Sequence, residues 1–286
     1  MFTVAVVRFA ISYQPAIHGA DPDSLTAYAQ HAEACGFEAL YLPEHVALTP
    51  GTTFGTMAMP ATTPFLDPVD CLAFVAAATT RLLLGTGVLL LPYHHPVTLA
   101  KRLATVDALS KGRLRLLTVG VGALPAEAQA VGVDFTTRGR RTDEAIDVLR
   151  LLWSGGADGV SHTGEFFEFE NLCSFPQPAG GTLPIHIGGS SRAAARRAGL
   201  RGDGYFAGGA LPLDERARQF EQARKAATDA GRDPDALEYT RWGSIDMPAS
   251  AVEELAEQGV TRVVVAAGPA DPLAQMSSFA ERFGFG

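Results

Sequence analysis

The amino-acid sequence predicts an α/β protein built as a (β/α)8 barrel, in which helices enclose eight parallel strands. Short apolar runs without polar alternation recur along the chain, and such runs are typical of strands that are buried on both faces. Each run is followed by a stretch in which apolar residues have helical spacing. Eight of these repeats fit into the 286 residues, which is a usual size for this barrel.

A doubly wound nucleotide-binding sheet is the competing architecture, because it is also built from alternating strands and helices. Its fingerprint is G-x-G-x-x-G directly after a strand. Here the sequence GVG at residues 120–122 is followed by ALP, and no Walker A motif occurs in the chain. The glycine pattern therefore favours the barrel.

The clearest repeat covers residues 81–122. A run of leucines leads into the sequence GTGV at 85–88, and apolar residues then follow helical spacing from Pro96 to Leu109. A proline suits the first turn of a helix, where its missing N–H is not needed. A second buried strand is predicted over 114–119. Glycines therefore lie at the carboxyl ends of both strands, where α/β folds build ligand sites.

The other elements follow the same pattern along the chain. The first helix is expected to begin with a cap at Asp23-Ser24 and to end at Cys35-Gly36, since these residue types favour helix ends. The remaining predicted strands cover residues 3–11, 37–42, 184–187, 203–207, 237–245 and 260–266. The remaining predicted helices cover 67–79, 138–153, 192–200, 213–230, 249–258 and 272–283.

Two segments interrupt this order within a chain that we expect to form one domain over residues 1–286. Residues 46–66 are rich in Thr, Gly, Pro and Met and look too irregular for a regular element; loops of this length are often functional lids. Residues 155–183 form an insertion after the fourth strand. Within it, phenylalanines alternate with glutamates over 166–170, which predicts a short exposed hairpin.

Composition excludes several classes of function. With 47% hydrophobic and 19% charged residues the chain is typical of a globular domain, and its net charge of −8 argues against nucleic acid or an anionic membrane as a partner. Three cysteines without metal spacing favour a reducing compartment over a disulfide framework. No signal segment or membrane-spanning apolar run is apparent. We therefore expect a cytoplasmic protein that acts on a small molecule.

Several short segments should meet at one mouth of the barrel, because the carboxyl ends of its strands lie on one face. A histidine at such an end is either a catalytic group or a structural hydrogen-bonding residue. Glu44 is a candidate to orient His45 or to cap the next helix. The candidate site residues are His45, Thr86, Gly87, Val88, Gly120, Val121, Gly122, Gly188, Gly189, Ser190, Ser191 and Arg192.

The last five of these residues are a candidate phosphate site. They open a predicted helix, whose first N–H groups have no partner within the helix, and they add two hydroxyls and a guanidinium. An ordinary serine cap explains the same pattern equally well. His94-His95 lacks a third ligand at useful spacing, so we predict no metal site there. No motif indicates Ser-His-Asp or Cys-His nucleophilic catalysis.

The order of these motifs resembles that of the bacterial luciferase-like monooxygenase superfamily, in particular its branch of coenzyme F420-dependent oxidoreductases, known mainly from actinobacteria. The resemblance covers roughly residues 25–210, and an ordered series is more specific than any single motif. The matching sequences are YLPEH at 41–45, GTGV at 85–88, HPV at 95–97, LAK at 99–101, ATVDALSKGR at 104–113, GVG at 120–122, PIHIGGS at 184–190 and GDG at 202–204.

The resemblance implies a luciferase-like barrel that transfers a hydride between the deazaflavin of F420 and a small organic substrate. It implies that His45 lies beside the cofactor ring as acid or base, and that the ring is backed by a bulge with a non-prolyl cis peptide at Gly87-Val88. The phosphate would bind at 188–191. Gly120 and Gly122 would let the ribityl chain pass close to the backbone. A homodimer is also expected.

Two other functions remain open on the sequence alone. A barrel of this type can instead bind flavin mononucleotide (FMN) and use oxygen as a monooxygenase. It can also bind a cofactor without turnover. The phosphate site does not distinguish F420 from FMN.

Overall fold

A computed structural model describes residues 7–54, 57–209 and 211–285. Its strands are β1 (Arg8–Ser12), β2 (Ala39–Leu42), β3 (Thr53–Phe54), β4 (Met57–Ala58), β5 (Leu83–Leu90), β6 (Leu114–Gly120), β7 (Val160–Thr163), β8 (Glu168–Leu172), β9 (Ile185–Gly188), β10 (Gly204–Ala207), β11 (Glu238–Trp242) and β12 (Arg262–Val265). Eight parallel strands form a closed barrel in the order β1-β2-β5-β6-β9-β10-β11-β12, and β12 pairs with β1. The predicted fold class is confirmed.

Helices enclose the barrel and alternate with its strands. They are α1 (Pro15–His18), α2 (Pro22–Ala34), α3 (Pro68–Ala78), α4 (Pro96–Leu109), α5 (Pro125–Ala130), α6 (Arg138–Ser154), α7 (Arg192–Arg201), α8 (Leu213–Asp229), α9 (Ala249–Glu257) and α10 (Pro272–Phe283). The predicted bounds of α4 match the observed ones. Single 3-10 turns occur at Leu91–Tyr93 and Pro234–Ala236.

Several predicted details are wrong. The cap of α2 is Asp21, whose side chain accepts from the Ser24 N–H at 2.8 Å, so the helix begins earlier than Asp23-Ser24. The segment predicted to lack regular structure contains two short antiparallel strands, β3 and β4, of two residues each. The first strand begins at Arg8, and residues 3–6 of the predicted strand lie outside the described residues. The predicted strand over 237–245 ends at Trp242, because the chain turns away after Gly243.

The apolar core has two layers. A small cluster fills the barrel itself, and a larger one packs between the barrel and the helices. The inner cluster consists of Ala10, Ala39, Tyr41, Leu116, Phe206 and Val264, with Leu83 and Trp242 packed against it. Because side chains fill its interior, the barrel has no central pore, and a ligand site is expected at the carboxyl ends of the strands.

The end of the barrel at the strand amino termini is closed by ions rather than by apolar side chains. The guanidinium of Arg262, only 1% exposed, donates to Glu38 at 2.6 and 3.0 Å and to Glu238 at 2.7 Å. Arg8 bridges the same two carboxylates at 3.1 and 2.7 Å. The imidazole of His186 is next to this network, with Nε2 3.6 Å from Glu238 Oε2. A buried charge without its partners costs several kcal/mol, so this network stabilises the end of the barrel at the strand amino termini.

The insertion after the fourth barrel strand carries the antiparallel hairpin β7-β8, as predicted. Glu144 on α6 anchors it. Its carboxylate accepts hydrogen bonds from the backbone N–H groups of residues 165–167 at 2.8 to 3.2 Å and contacts His162 Nε2 at 3.1 Å. Although burial would raise the pKa of Glu144, these contacts hold it below its usual range.

Replacing Glu144 with alanine is expected to loosen the insertion without unfolding the barrel. Each hydrogen bond to a charged group contributes about 1.5–3 kcal/mol, so amide hydrogen exchange within 160–172 should become at least about tenfold faster. Asp147→Ala is the matched control on the same helix, because Asp147 is exposed and pairs with Arg201 rather than with the hairpin. Unchanged exchange in the hairpin of the Glu144 variant would contradict the anchoring role.

Candidate active site

Val88 is the point at which three of the predicted site segments meet. A Cβ atom on Gly120 would lie 2.6 Å from Val88 Cγ2, and a Cβ atom on Gly188 would lie 2.4 Å from Val88 Cγ1. The carbonyl of Val88 accepts from the Glu44 N–H at 3.2 Å. The ends of β6 and β9 are thereby packed against the Val88 side chain on β5, and the loop after β2 is hydrogen-bonded to the Val88 backbone. The structure thus brings these segments together at one mouth of the barrel, as predicted.

The peptide bond between Gly87 and Val88 is cis, as predicted, and lies at a register shift in the pairing of β5 with β6. Gly85 and Gly87 both face Tyr41 inside the barrel, since a Cβ atom on either would lie 3.1 or 3.3 Å from the Tyr41 ring. Thr86, between them, points outward, and its hydroxyl donates to the Thr118 carbonyl at 2.7 Å. The Thr86 side chain is therefore committed to the barrel wall, and its backbone is what remains for a ligand.

Gly120, the last residue of β6, and Gly122 just after it lie against side chains of the protein itself. The space beside Gly120 is filled by Val88, and a Cβ atom on Gly122 would collide with the hydroxyl of Tyr93 at 2.2 Å. Both glycines thus make room for side chains of this protein. Tyr93 Oη is buried without a hydrogen-bond partner among the described residues, and burial raises the Tyr93 pKa to about 12. This hydroxyl is a polar group available to a ligand, and no sequence motif indicates it.

The candidate phosphate site lies at the start of α7. Ser191 caps the helix, because its hydroxyl accepts from the Ala194 N–H at 3.1 Å. Arg192 is exposed and points to Glu215, with 3.8 Å between Nε and Oε1. The Ser190 carbonyl accepts from Gln219 Nε2 at 3.0 Å, which fixes the loop. The serine cap is thus present, and the first-turn N–H groups and the exposed Ser190 remain beside it.

His45 is held by a carboxylate from a distant part of the chain. Its Nδ1 lies 3.2 and 3.3 Å from the carboxylate oxygens of Glu127, which is 2% exposed and belongs to α5. The same carboxylate accepts from the N–H groups of Val46 at 2.7 Å and Ala47 at 3.4 Å. The ring of Phe65 contacts the imidazole edge to face, with 4.8 Å between centroids. The histidine is therefore fixed in position on the loop after β2.

The described partners of the Glu44 carboxylate are Leu90 and His94, whereas one of the two predicted roles is to orient His45. The Glu44 carboxylate accepts from the Leu90 N–H at 2.5 Å and contacts His94 Nε2 at 2.7 Å. Glu44 is 5% exposed. Glu44 thus fixes the loop after β2 to the loop after β5, whereas Glu127 is the carboxylate that holds Nδ1 of His45.

The family of the chain is established by its similarity to known proteins. A family model described as luciferase-like monooxygenase matches residues 1–280. The chain belongs to this luciferase-like monooxygenase family. A protein of Mycobacterium tuberculosis named only as uncharacterised is 32% identical over 246 residues, which are 83% of this chain and 82% of that protein.

Two further relatives of this luciferase-like chain carry functional names. The F420-dependent hydroxymycolic acid dehydrogenase of Mycobacterium tuberculosis is 33% identical over 75% of this chain and 56% of its own length. The 4-hydroxyprotoasukamycin monooxygenase of Streptomyces nodosus subsp. asukaensis is 32% identical over 74% of this chain and 55% of its own length. The chain thus spans little more than half of each. The relatives therefore include an F420-dependent dehydrogenase and a monooxygenase.

Solved structures agree on the luciferase-like fold. A monooxygenase from Streptomyces bottropensis and the coenzyme F420-dependent tetrahydromethanopterin reductase from Methanopyrus kandleri both superpose with a TM-score of 0.77. Each match covers 96% of this chain and 98% of the other, at 22% and 17% identity respectively. At such identities the likeness establishes the fold alone.

Three further features of this luciferase-like protein concern Trp242, metal ligands and membrane spans. Trp242, at the end of β11, packs on Phe206 with 4.9 Å between ring centroids and lies close to Gly87, so it belongs to the mouth. Over the described ranges, no group of three or more His, Cys, Asp or Glu residues could hold a metal ion. No helix in the described part of the chain is long and apolar enough to cross a membrane.

Proposed function

We propose that this protein is an F420-dependent oxidoreductase that transfers a hydride between the deazaflavin and a small organic substrate. The observation that carries the proposal is the arrangement at the barrel mouth. His45, held by Glu127, lies on the loop that Glu44 ties to the cis-peptide bulge, and this bulge is packed against the end of β9 just before the start of α7. Family membership, with an F420-dependent relative, supports this choice.

The residues at the mouth fit a cofactor of this type. The first-turn N–H groups of α7 and the Ser190 hydroxyl suit its phosphate, and the unpartnered Tyr93 hydroxyl suits a polar group of its chain or ring. Val88 offers an apolar surface against which a flat ring can pack. When bound, the deazaflavin supplies the redox chemistry by exchanging two electrons as a hydride.

The protein's own contribution is positioning and proton transfer. His45 is the acid or base: with Nδ1 engaged by Glu127, its Nε2 is the nitrogen that can take up or release a proton at the substrate. In this proposal the loop around Phe65, which contacts His45, and the insertion over 155–183 would form the substrate walls. Excluding water there strengthens the electrostatic contacts made by His45.

Titration of the purified protein with oxidised F420 and, separately, with FMN tests the proposal. Trp242 fluorescence should report binding, whereas Trp153 is 1% exposed and donates to the Ala100 carbonyl in the core, so it should not respond. We expect F420 to bind at least about tenfold more tightly than FMN, a difference of about 1.4 kcal/mol. Calorimetry gives the dissociation constants independently of fluorescence.

Two serine variants locate the phosphate in the same titration. Ser190→Ala should weaken F420 binding by roughly three- to tenfold, because one hydrogen bond to a charged group is lost. Ser154→Ala, at the exposed end of α6, is the matched control and should leave binding unchanged. Tighter binding of FMN would make the protein a flavin-dependent monooxygenase, and binding of neither would favour a barrel without turnover.

A further inference from the structure

Glu127 has an unusual position for a glutamate. It lies on the six-residue helix α5, yet it is 2% exposed, and its carboxylate faces the loop after β2 across the mouth of the barrel. Its described partners all belong to that loop. They are the N–H groups of Val46 and Ala47 and the imidazole of His45. One buried carboxylate therefore carries three contacts to three consecutive residues.

The chemistry of these contacts fixes where the imidazole proton lies. A carboxylate accepts hydrogen bonds but has no hydrogen to donate, so Nδ1 of His45 must donate to satisfy the 3.2 Å contact. In a neutral imidazole only one nitrogen carries hydrogen. Donation from Nδ1 therefore leaves the lone pair on Nε2, which is the nitrogen that Glu127 does not contact.

We infer that Glu127 is a positioning residue that holds His45 in the Nδ1–H tautomer and in one ring orientation. Nε2 is then the single site at which His45 accepts a proton, and it releases that proton from the same atom. The backbone contacts to Val46 and Ala47 add to this role, because they prevent the loop from carrying the imidazole away from the carboxylate. The catalytic consequence rests on the proposed function, whereas the tautomer does not.

Nuclear magnetic resonance of the full chain labelled with ¹⁵N-histidine tests the tautomer directly. Long-range ¹H–¹⁵N correlation spectra distinguish Nδ1–H from Nε2–H, and His45→Gln identifies the His45 signals among the seven histidines. At about pH 8.5, where an ordinary imidazole is neutral, wild-type His45 should show the Nδ1–H pattern. The Nδ1–H form should exceed the other tautomer by at least about tenfold.

Glu127→Gln is the informative variant because the amide keeps the size and one acceptor oxygen. The amide oxygen can still accept from Val46, but His45 loses its charged acceptor, so the Nδ1–H excess should fall to near parity or reverse. Glu44→Gln is the matched control. It alters the neighbouring buried carboxylate, which contacts His94, and should shift the His94 signals while leaving those of His45 unchanged.

Further variants separate a positioning role from a structural one. If Glu127→Gln does not fold, Glu127→Asp shortens the side chain by one methylene and should reduce the Nδ1–H excess in part. In turnover, Glu127→Gln should lower kcat by about tenfold or more with little change in KM, and should cost nothing further in a His45→Ala background.

The two hypotheses fail in different ways. An Nε2–H pattern for His45 in the wild type, or an unchanged tautomer in Glu127→Gln, would overturn the inference whether or not F420 binds. Additive effects of the two substitutions on kcat would overturn the positioning role. Absence of F420 binding would instead overturn the proposed function, and the tautomer assignment would stand.

Discussion

His45→Ala should lower the turnover number by about 10²–10⁴-fold, the range that general acid-base catalysis contributes. The dissociation constant of F420 should rise by no more than about tenfold, because a single contact is lost. The physical reason for the difference lies in the proposed mechanism, in which the imidazole would act on the substrate proton, while the phosphate site and the bulge would contribute most of the binding. A kcat measurement under saturating F420, with calorimetry for binding, separates the two effects.

The neighbouring histidines provide the control for this prediction. His95 is exposed, and its ring lies 5.5 Å from that of Phe167, on the side of the insertion rather than beside Glu127. His95→Ala should therefore leave both kcat and cofactor binding close to wild type. If His45→Ala retained more than about a tenth of wild-type kcat, His45 would not be the acid or base.

Acid should destabilise the fold through His186, which is 2% exposed and lies at the end of the barrel formed by the strand amino termini. Burial lowers the pKa of His186 to about 4, against an ordinary value of 6.5. Between these two values the unfolded chain binds a proton that the folded chain does not, so stability falls as the pH falls from 6.5 towards 4. A shift of this size corresponds to about 3 kcal/mol over that window, as an upper estimate.

Glu238 should add to the loss at lower pH. Although burial alone would raise its pKa, the contacts with Arg262 and Arg8 lower it to about 2, well below the ordinary 4.5. In the unfolded chain this carboxylate takes up a proton near pH 4.5, whereas in the folded chain it does so only near pH 2. This contribution to stability is fully present above pH 4.5 and disappears as the pH falls through 2.

Urea unfolding at several pH values between 7 and 4 measures this dependence. His186→Leu replaces the titrating group with a side chain that cannot be protonated, so the variant should lose less stability than wild type between pH 6.5 and 4.5. His95→Gln, an exposed histidine, should retain the wild-type slope. A His186→Leu curve that is parallel to the wild-type curve would show that the acid response arises elsewhere.

The sequence predicts the barrel well because the signals for strands and helices are local. The spacing of apolar residues and the proline at its start predict α4 with its observed bounds. Short elements escape this reasoning, since six residues in α5 are too few to show a period. The hairpin of β3 and β4 is missed for the same reason. Apolar spacing likewise does not predict that Arg8, the first residue of β1, belongs to the ionic network with Glu38 and Glu238.

The site is only half predictable because its key contacts join distant residues. Glycines and a histidine at strand ends indicate where the mouth is, and the structure brings those segments together. No local pattern relates His45 to Glu127, which is 82 residues away, or Arg262 to Glu38, which is 224 residues away. The sequence alone likewise does not show that Val88 and Tyr93 fill the space beside Gly120 and Gly122.

A crystal structure of the protein with bound oxidised F420 would decide whether the barrel mouth is the cofactor site. We expect the deazaflavin ring to pack against the Gly87-Val88 bulge, the phosphate to contact the N–H groups at the start of α7 and Ser190, and Nε2 of His45 to face the space above the ring. A cofactor whose phosphate lies away from residues 188–191, or whose ring lies away from the bulge, would contradict the proposed site.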